Sequence, residues 1–381
     1  MLGRSLVRKR PFLERLWREE LRWYELPLWL PTVPAAALYA CALAMRSGAW
    51  RLMRKRPALP TISIGNLIVG GSGKTPFTLF LAQKLAERGV SVGIVSRGYH
   101  GRLASGRAAL VSDGAGVLLT PEQAGDEPVM MARQFDGPIA VARRRTHGIE
   151  LLQRSAQVDA VVLDDAFQHI RLKRDFDLLL VNTERGLGNG WLLPAGPMRE
   201  RISAARRADA IVLIGRDRAA DSLTPAQRAK LDRLKRPDLF HATIRPRCLV
   251  HAEMGRWRET PLAIVGRRVL AVSGLAEAGG FYEMLREHDA ELVGVLEYPD
   301  HHKYTAADWQ AISDAARDAE MVITTEKDLV KLERFPFPRD SLYALRLEVA
   351  MDEKAAAQLL DMIVAAIMFG GGYTPRRVVP A

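Results

Sequence analysis

The run Val69-Gly70-Gly71-Ser72-Gly73-Lys74-Thr75-Pro76 constrains this chain more than any other. It follows the β-favouring stretch Pro60-Thr61-Ile62-Ser63-Ile64-Gly65-Asn66-Leu67 and opens a helical pattern (Phe77, Phe80, Leu81, Leu85) that stops at Gly89. Strand, glycine loop and helix form the context of a phosphate-binding loop. Glycines let successive N–H groups turn toward phosphate oxygens, and the helix N-terminus adds partial positive charge. Ile68, Val69, Gly70, Gly71, Ser72, Gly73, Lys74 and Thr75 would line the triphosphate. Lys74 reaches the β- and γ-phosphates in such loops, and the Thr75 hydroxyl meets Mg²⁺. A first-turn proline forfeits only an orphan donor, so Pro76 is tolerated. Ile68 stands where the usual pattern has its first glycine. The alternative is a glycine-rich turn before an ordinary helix.

From Pro60 onward apolar strands alternate with helical stretches, which predicts an α/β fold with a parallel sheet flanked by helices. Strands are expected at 60–67, 90–96, 108–112, 138–142, 158–163, 177–182 and 209–214, then at 268–273, 291–296, 320–325 and 342–349. The charged stretch Arg216 to Arg236 reads as one or two connecting helices. The expected organisation is an N-terminal segment at 1–55, a phosphate-loop domain at 56–215, a smaller α/β lobe at 216–350 and a C-terminal helix and tail at 351–381. Ligands of such sheets gather beyond the C-terminal strand ends, so the polar residues there carry the interest.

The first 55 residues have a different character. Leu13, Trp17, Leu21 and Tyr24 share a helical stripe flanked by Arg15, Arg18 and Arg22. Leu26 to Met45 carries no charge, but Pro27, Pro31 and Pro34 break its first half, leaving a helix too short to span a bilayer. Arg46, Arg51, Arg54, Lys55 and Arg56 follow. This predicts a peripheral or monotopic membrane-surface anchor suited to anionic headgroups, against the alternative of helices packed on the protein's own core. Net charge is +11, mostly from arginine, which points to an acidic partner. No nucleic-acid module accompanies that charge, and no obligate protein partner is evident. Cys41 and Cys248 are the two cysteines, too few for a disulfide framework or a cysteine zinc site.

Three clusters read in two ways each. Ala160 to Leu163 ends in Asp164 and Asp165, either an acidic turn or the carboxylates that meet Mg²⁺ beside a phosphate loop. Asp126 and Glu127 precede Pro128 and serve either to cap a helix or, for Asp126, to take a proton from an acceptor hydroxyl. His301 and His302 are either solvated loop residues or the source of one imidazole that orients a carboxylate. Thr325 with Asp328 fits a helix cap.

Read together, Gly65 to Pro76, Ser96-Arg97-Gly98-Tyr99, Gly125 to Pro128, Leu163 to His169, Leu193 to Glu200, Asp300-His301-His302 and Thr325 to Asp328 resemble the tetraacyldisaccharide 4′-kinase family, the lipid A 4′-kinases of Gram-negative bacteria. That family also lacks the first loop glycine. Ala166 replaces an expected glycine, and Ile68 and Ser72 replace usual threonines. The resemblance implies a two-lobed P-loop kinase on the cytoplasmic face of the inner membrane. It would use ATP and Mg²⁺ to phosphorylate the 4′-hydroxyl of an acylated disaccharide-1-phosphate lipid. Asp126 would be the base, assisted by His301 or His302, with Lys74 on the phosphates. Thr75, Asp164, Asp165 and Glu127 would serve the metal, and Arg97, Tyr99, Gln168, His169, Arg199 and Glu200 the sugar-phosphate pocket. The rival is a membrane-associated switch or targeting ATPase. Its loop usually begins with lysine where Val69 stands here, and it has no use for Asp126.

Overall fold

The computed structural model describes residues 16–17, 26–71, 73–105, 108–216, 225, 229, 238–253, 256–338 and 340–369. Helices α1 (Leu26–Trp29) and α2 (Thr32–Leu52) precede β1 (Thr61–Gly65), α3 (Lys74–Glu87) and β2 (Val92–Ser96). Next come β3 (Ala109–Asp113), α4 (Pro121–Ala124), α5 (Asp126–Ala132), β4 (Pro138–Val141), α6 (Arg145–Ser155), β5 (Ala160–Leu163), β6 (Phe176–Asn182) and β7 (Ala210–Gly215). The remainder holds β8 (Asp238–Glu253), β9 (Arg256–Thr260), β10 (Arg268–Ser273), α7 (Gly279–Glu287), β11 (Glu291–Glu297), α8 (Ala306–Ala315), β12 (Met321–Thr325), α9 (Glu326–Leu332), β13 (Leu342–Ala350) and α10 (Glu353–Phe369).

Two compact units share these elements, and neither is continuous in sequence. The loop unit takes Lys9–Arg97, Arg144–Ile244 and Val349–Ala381; the second unit includes Gly98–Arg143 and Arg245–Glu348. The boundary expected at 350 falls beside the break at Glu348/Val349, whereas those expected at 55 and 215 have no counterpart. Contiguous blocks assume that sequence neighbours stay together, whereas here β3 to β4 leave the loop unit and α6 returns to it.

In the loop unit, strands run in the order β2-β5-β1-β6-β7-β8 and every pairing is parallel. Both faces of β1, β5 and β7 are buried, which is why these strands read as unbroken apolar runs. Helix α3 packs through Phe77, Leu79, Leu81, Ala82 and Leu85. Because β1 and β5 are neighbours, their C-terminal ends bring the glycine loop beside Asp164 and Asp165. In the second unit β11-β10-β12-β13 are parallel, β8 adds β9 antiparallel, and β3 pairs antiparallel with β4. Both antiparallel pairings depart from the all-parallel expectation. Strands β8 and β9 were not expected, because Arg245-Pro246-Arg247 interrupts the apolar pattern of β8.

Proline 34 sits in the first turn of α2, where its missing donor costs no hydrogen bond. Tyr39, Ala40 and Leu43 pack against a core that includes Leu67, Phe167, Leu179 and Leu213, and the Tyr39 hydroxyl donates to the Arg199 carbonyl at 3.1 Å. Its other side leaves Leu38 73% and Met45 72% exposed. Of the stripe expected at 12–24, Trp17 is described, and its indole N–H donates to the Pro194 carbonyl. Leu13, Leu21 and Tyr24, most of 216–236 and the glycines at 370–372 lie outside the described residues.

Gly65 links the fold to the site. A methyl there would lie 2.5 Å from Phe167 Cβ and 2.9 Å from its backbone nitrogen, prising the end of β1 from the turn that follows β5. Gly65→Ala is expected to cost about 1–3 kcal/mol in denaturant unfolding. It should also weaken ATP binding, measured by calorimetry on the same preparation.

Candidate active site

The glycine loop is built as its sequence requires. Gly70 and Gly73 have φ of +100° and +72°, the region that disfavours residues with a Cβ. A Cβ at Gly73 would also lie 2.7 Å from Ile244 Cδ1. Gly73 is the N-cap of α3, and its carbonyl accepts from the Phe77 amide at 3.1 Å. Ile68 and Val69 are committed elsewhere. Ile68 is buried and bridges to Met198, and the Val69 amide donates to the Pro197 carbonyl at 2.9 Å. They anchor the loop, which narrows the phosphate-facing stretch to Gly70–Thr75. Ser72 lies outside the described residues.

Beside the loop, the two carboxylates after β5 are held differently. Asp164 is buried, with the Ser96 hydroxyl 3.1 Å from Oδ2 and the Thr78 hydroxyl 3.4 Å from Oδ1. Burial, reinforced by the charge of Asp165, pushes its pKa up against the pull of Lys74 and Arg145. Asp165 also feels the cost of burial, but Lys74 and Arg199 outweigh it and hold its carboxyl below the ordinary range. Arg199 Nη1 is 2.9 Å and Lys74 Nζ 3.7 Å from Asp165 Oδ1. Asp165 adopts φ +48°, an uncommon backbone for a non-glycine residue and one that marks many functional sites.

Several expected pocket residues gather here in the same unit. Gln168 donates to the Asn66 carbonyl at 2.8 Å and so ties the two strand ends together. His169 is half-buried, and burial with the nearby Arg145 lowers its pKa to about 4, leaving it neutral at physiological pH. Glu200 is buried against Arg207, whose two terminal nitrogens lie 2.8 and 3.1 Å from its oxygens. That pairing makes Glu200 a brace for the loop rather than an open ligand. Arg97 is exposed at the end of β2. Sequence reasoning missed Arg145, whose side chain is buried and donates to the Asp164 carbonyl at 2.8 Å. A buried arginine aimed at an acidic strand end has no signature in spacing.

The second unit holds a separate charged cluster. His301 Nδ1 lies 3.0 Å from both Asp126 oxygens. Asp126 also accepts from the Glu127 amide at 3.0 Å, within the first turn of α5, whose N-cap is Gly125. Lys331 Nζ is 3.5 Å and Lys327 Nζ 4.0 Å from Asp126 Oδ2. Burial would raise the Asp126 pKa, yet the His301 hydrogen bond and the lysines bring it down to about 2. His301 adopts φ +56°, and its ring lies 5.8 Å from that of Tyr99. His302 faces elsewhere: its Nε2 meets Asp308 at 3.1 Å and its ring stacks on Tyr298. Of the two histidines, His301 alone reaches Asp126, because its left-handed backbone turns successive side chains apart. Glu127 belongs to this unit too, 4.0 Å from Lys327 Nζ. Thr325 caps α9 by accepting from the Asp328 amide at 3.1 Å.

With that geometry in hand, residues 28–365 match the family described as tetraacyldisaccharide-1-P 4′-kinase. The chain belongs to this family. A tetraacyldisaccharide 4′-kinase of Anaeromyxobacter dehalogenans (strain 2CP-C) is 41% identical over 336 residues, covering 84% of this chain and 86% of the relative. One from Geobacter sulfurreducens is 37% identical over 340 residues, covering 86% and 92%. Among solved structures, LpxK from Aquifex aeolicus in complex with ATP superposes with a TM-score of 0.72 at 29% identity, covering 89% of this chain and 99% of that one.

The depressed pKa of Asp126 has a stability consequence. Its folded value of about 2 lies below the ordinary 3.8, so its contribution is present above pH 4 and is lost as pH falls from about 4 toward 2. The stability difference between wild type and Asp126→Asn, read by urea unfolding, should therefore shrink by about 2 kcal/mol over that interval.

Proposed function

We infer that this protein transfers the γ-phosphoryl group of ATP to the 4′-hydroxyl of a tetraacylated glucosamine disaccharide 1-phosphate. Relatives at 36–41% identity carry the name of that activity along most of their length, and ATP is bound by the Aquifex aeolicus structure. The observation that carries the reading beyond the name is the Asp126–His301 hydrogen bond. A nucleotide switch has no acceptor hydroxyl to deprotonate, whereas a kinase of a poorly acidic sugar alcohol does.

The chemistry follows from the residues. Backbone N–H groups of Gly70–Thr75, the start of α3 and Lys74 receive the phosphates, where charge spreads over the γ-phosphoryl oxygens as it transfers. Asp126 accepts the hydroxyl proton as the new O–P bond forms and the bond to the ADP oxygen breaks. With a pKa of about 2 it is a weak base, so transfer of the proton accompanies bond formation rather than preceding it. Thr75 and Asp165 would hold a magnesium ion, since a hydroxyl and an ionised, partly exposed carboxylate are hard oxygen donors of the kind it takes. Asp164, already engaged with two hydroxyls, would orient that set from behind. When bound, Mg²⁺ neutralises developing phosphate charge. Arg97, Tyr99, His169 and Arg199 remain the candidates for the sugar-phosphate contacts.

Among the described residues no helix is long and apolar enough to cross a membrane. We place the protein on an anionic membrane surface through the apolar residues that α2 leaves exposed, with Arg46 at its C-terminal half and Arg54 and Lys55 just beyond it. Two measurements test the reading. With radiolabelled ATP and a disaccharide-1-phosphate lipid, wild type should yield labelled lipid, and Asp126→Ala should lose transfer by at least about 100-fold with ATP affinity kept. ATP hydrolysis without labelled lipid would instead favour the switch. Replacing Leu38 and Met45 together by serine should reduce co-sedimentation with anionic vesicles. Unchanged sedimentation would remove α2 from the anchor.

A further inference from the structure

The Asp126–His301 pair is not the whole of its cluster. Helix α9 delivers two lysines one turn apart, and the nearer contact of each is to a different member of the pair. Lys327 Nζ lies 3.3 Å from His301 Nε2 and 2.7 Å from Asp300 Oδ1. Lys331 Nζ lies 3.5 Å from Asp126 Oδ2 and 2.9 Å from Asp328 Oδ1. Neither side chain is a solvated surface lysine: they are 12% and 8% exposed.

The lysines are themselves anchored. Asp328 is fully buried and accepts from the Gly274 amide at 2.8 Å and the Thr325 hydroxyl at 2.7 Å. Its carboxylate therefore sits at a fixed point, and Lys331 is held between it and Asp126, with the Tyr304 ring 5.3 Å away. Lys327 is fixed by Asp300, the residue before His301.

An ammonium group offers donors and no acceptor. Opposite Lys327, His301 Nε2 must present its lone pair, since an N–H there would point hydrogen at hydrogen. The ring proton is then on Nδ1, aimed at Asp126. The Asp300 carboxylate, 3.8 Å from Nε2, is too distant to accept a hydrogen bond from it.

We propose that Lys327 and Lys331 are positioning residues for the proton acceptor: Lys327 sets His301 in the Nδ1–H tautomer, and Lys331 fixes the Asp126 carboxylate that this N–H orients. The proposal rests on Asp126 being the proton acceptor. It assigns His301 a specific part, because a ring already protonated on Nδ1 donates to Asp126 and does not take the substrate's proton from it. The proton leaving the 4′-hydroxyl ends on the Asp126 carboxylate, the new bond joins the hydroxyl oxygen to phosphorus, and the electrons of the broken P–O bond leave with ADP. The short sequence Thr325-Glu326-Lys327-Asp328 thereby gains a role beyond capping its helix.

The test uses the full chain with histidine rings labelled with ¹⁵N, the His301 signal identified by its loss in His301→Gln. Wild type should show Nδ1 protonated and Nε2 bare, and Lys327→Met should move the ring toward the Nε2–H form. Wild type in the Nε2–H form, or a ring unaltered by Lys327→Met, would overturn the proposal. In the kinetic arm, Lys331→Met paired with Asp328→Asn leaves no buried carboxylate unpartnered. It should lower kcat by about 10- to 100-fold with KM for ATP unchanged, and Lys331→Arg should keep most of the rate. A kcat within twofold of wild type in the double variant would overturn the part given to Lys331. These outcomes are separable from the parent reading: wild type that makes no labelled lipid defeats the kinase assignment, while the tautomer is read without turnover.

Discussion

The charged clusters of this protein depend on how burial and neighbouring cations set the charge of their carboxylates. A buried carboxylate without partners costs several kcal/mol and becomes protonated. At an effective dielectric constant of about 20, a cation 3.5–4.0 Å away returns about 4 kcal/mol. Asp126 has two such lysines and a hydrogen bond to the His301 ring, and these outweigh its burial. The same competition separates Asp164 from Asp165. Arg199 and Lys74 hold Asp165 in its charged form, while its buried neighbour is shifted the other way. One residue is thus suited to meet a cation and the other to support it.

This view also explains the division of the chain. The phosphate loop and its acid pair are built on adjacent parallel strands, where β1 and β5 end side by side. The proposed proton acceptor, Asp126, and its partners lie in the second unit, on α5, on the turn after β11 and on α9. Uncommon backbone conformations recur at both. Asp165 and His301, each with positive φ, are aimed by turns that a regular element could not provide.

How much of this the sequence discloses depends on how far apart the cooperating residues lie. The loop, its strand and its helix are contiguous, so residues 60–89 can be read directly, and the eleven expected strands correspond to observed ones, most plainly where strands buried on both faces, such as β1, β5 and β7, leave unbroken apolar runs. Strand β8 hides because its charged middle breaks that pattern. The Asp126–His301 contact spans 175 positions, so spacing alone leaves His301 and His302 equivalent. The backbone angle that separates them is not encoded in either residue type. Arg145 and Lys331 escape sequence reading for a related reason: a basic residue in a helix looks solvated until the fold buries it. Ile68 and Val69 were read as loop lining because they precede the glycines, whereas the loop of Leu193 to Met198 claims them.

The central claim is that the amides of Gly70–Thr75 hold a triphosphate and that Lys74 moves with it. A crystal structure with a non-hydrolysable ATP analogue tests this directly. The account predicts phosphate oxygens on those amides, with Lys74 Nζ drawn from its 3.7 Å contact with Asp165 to the phosphates. A bound nucleotide that leaves these amides unengaged, with Lys74 still on Asp165, would contradict it.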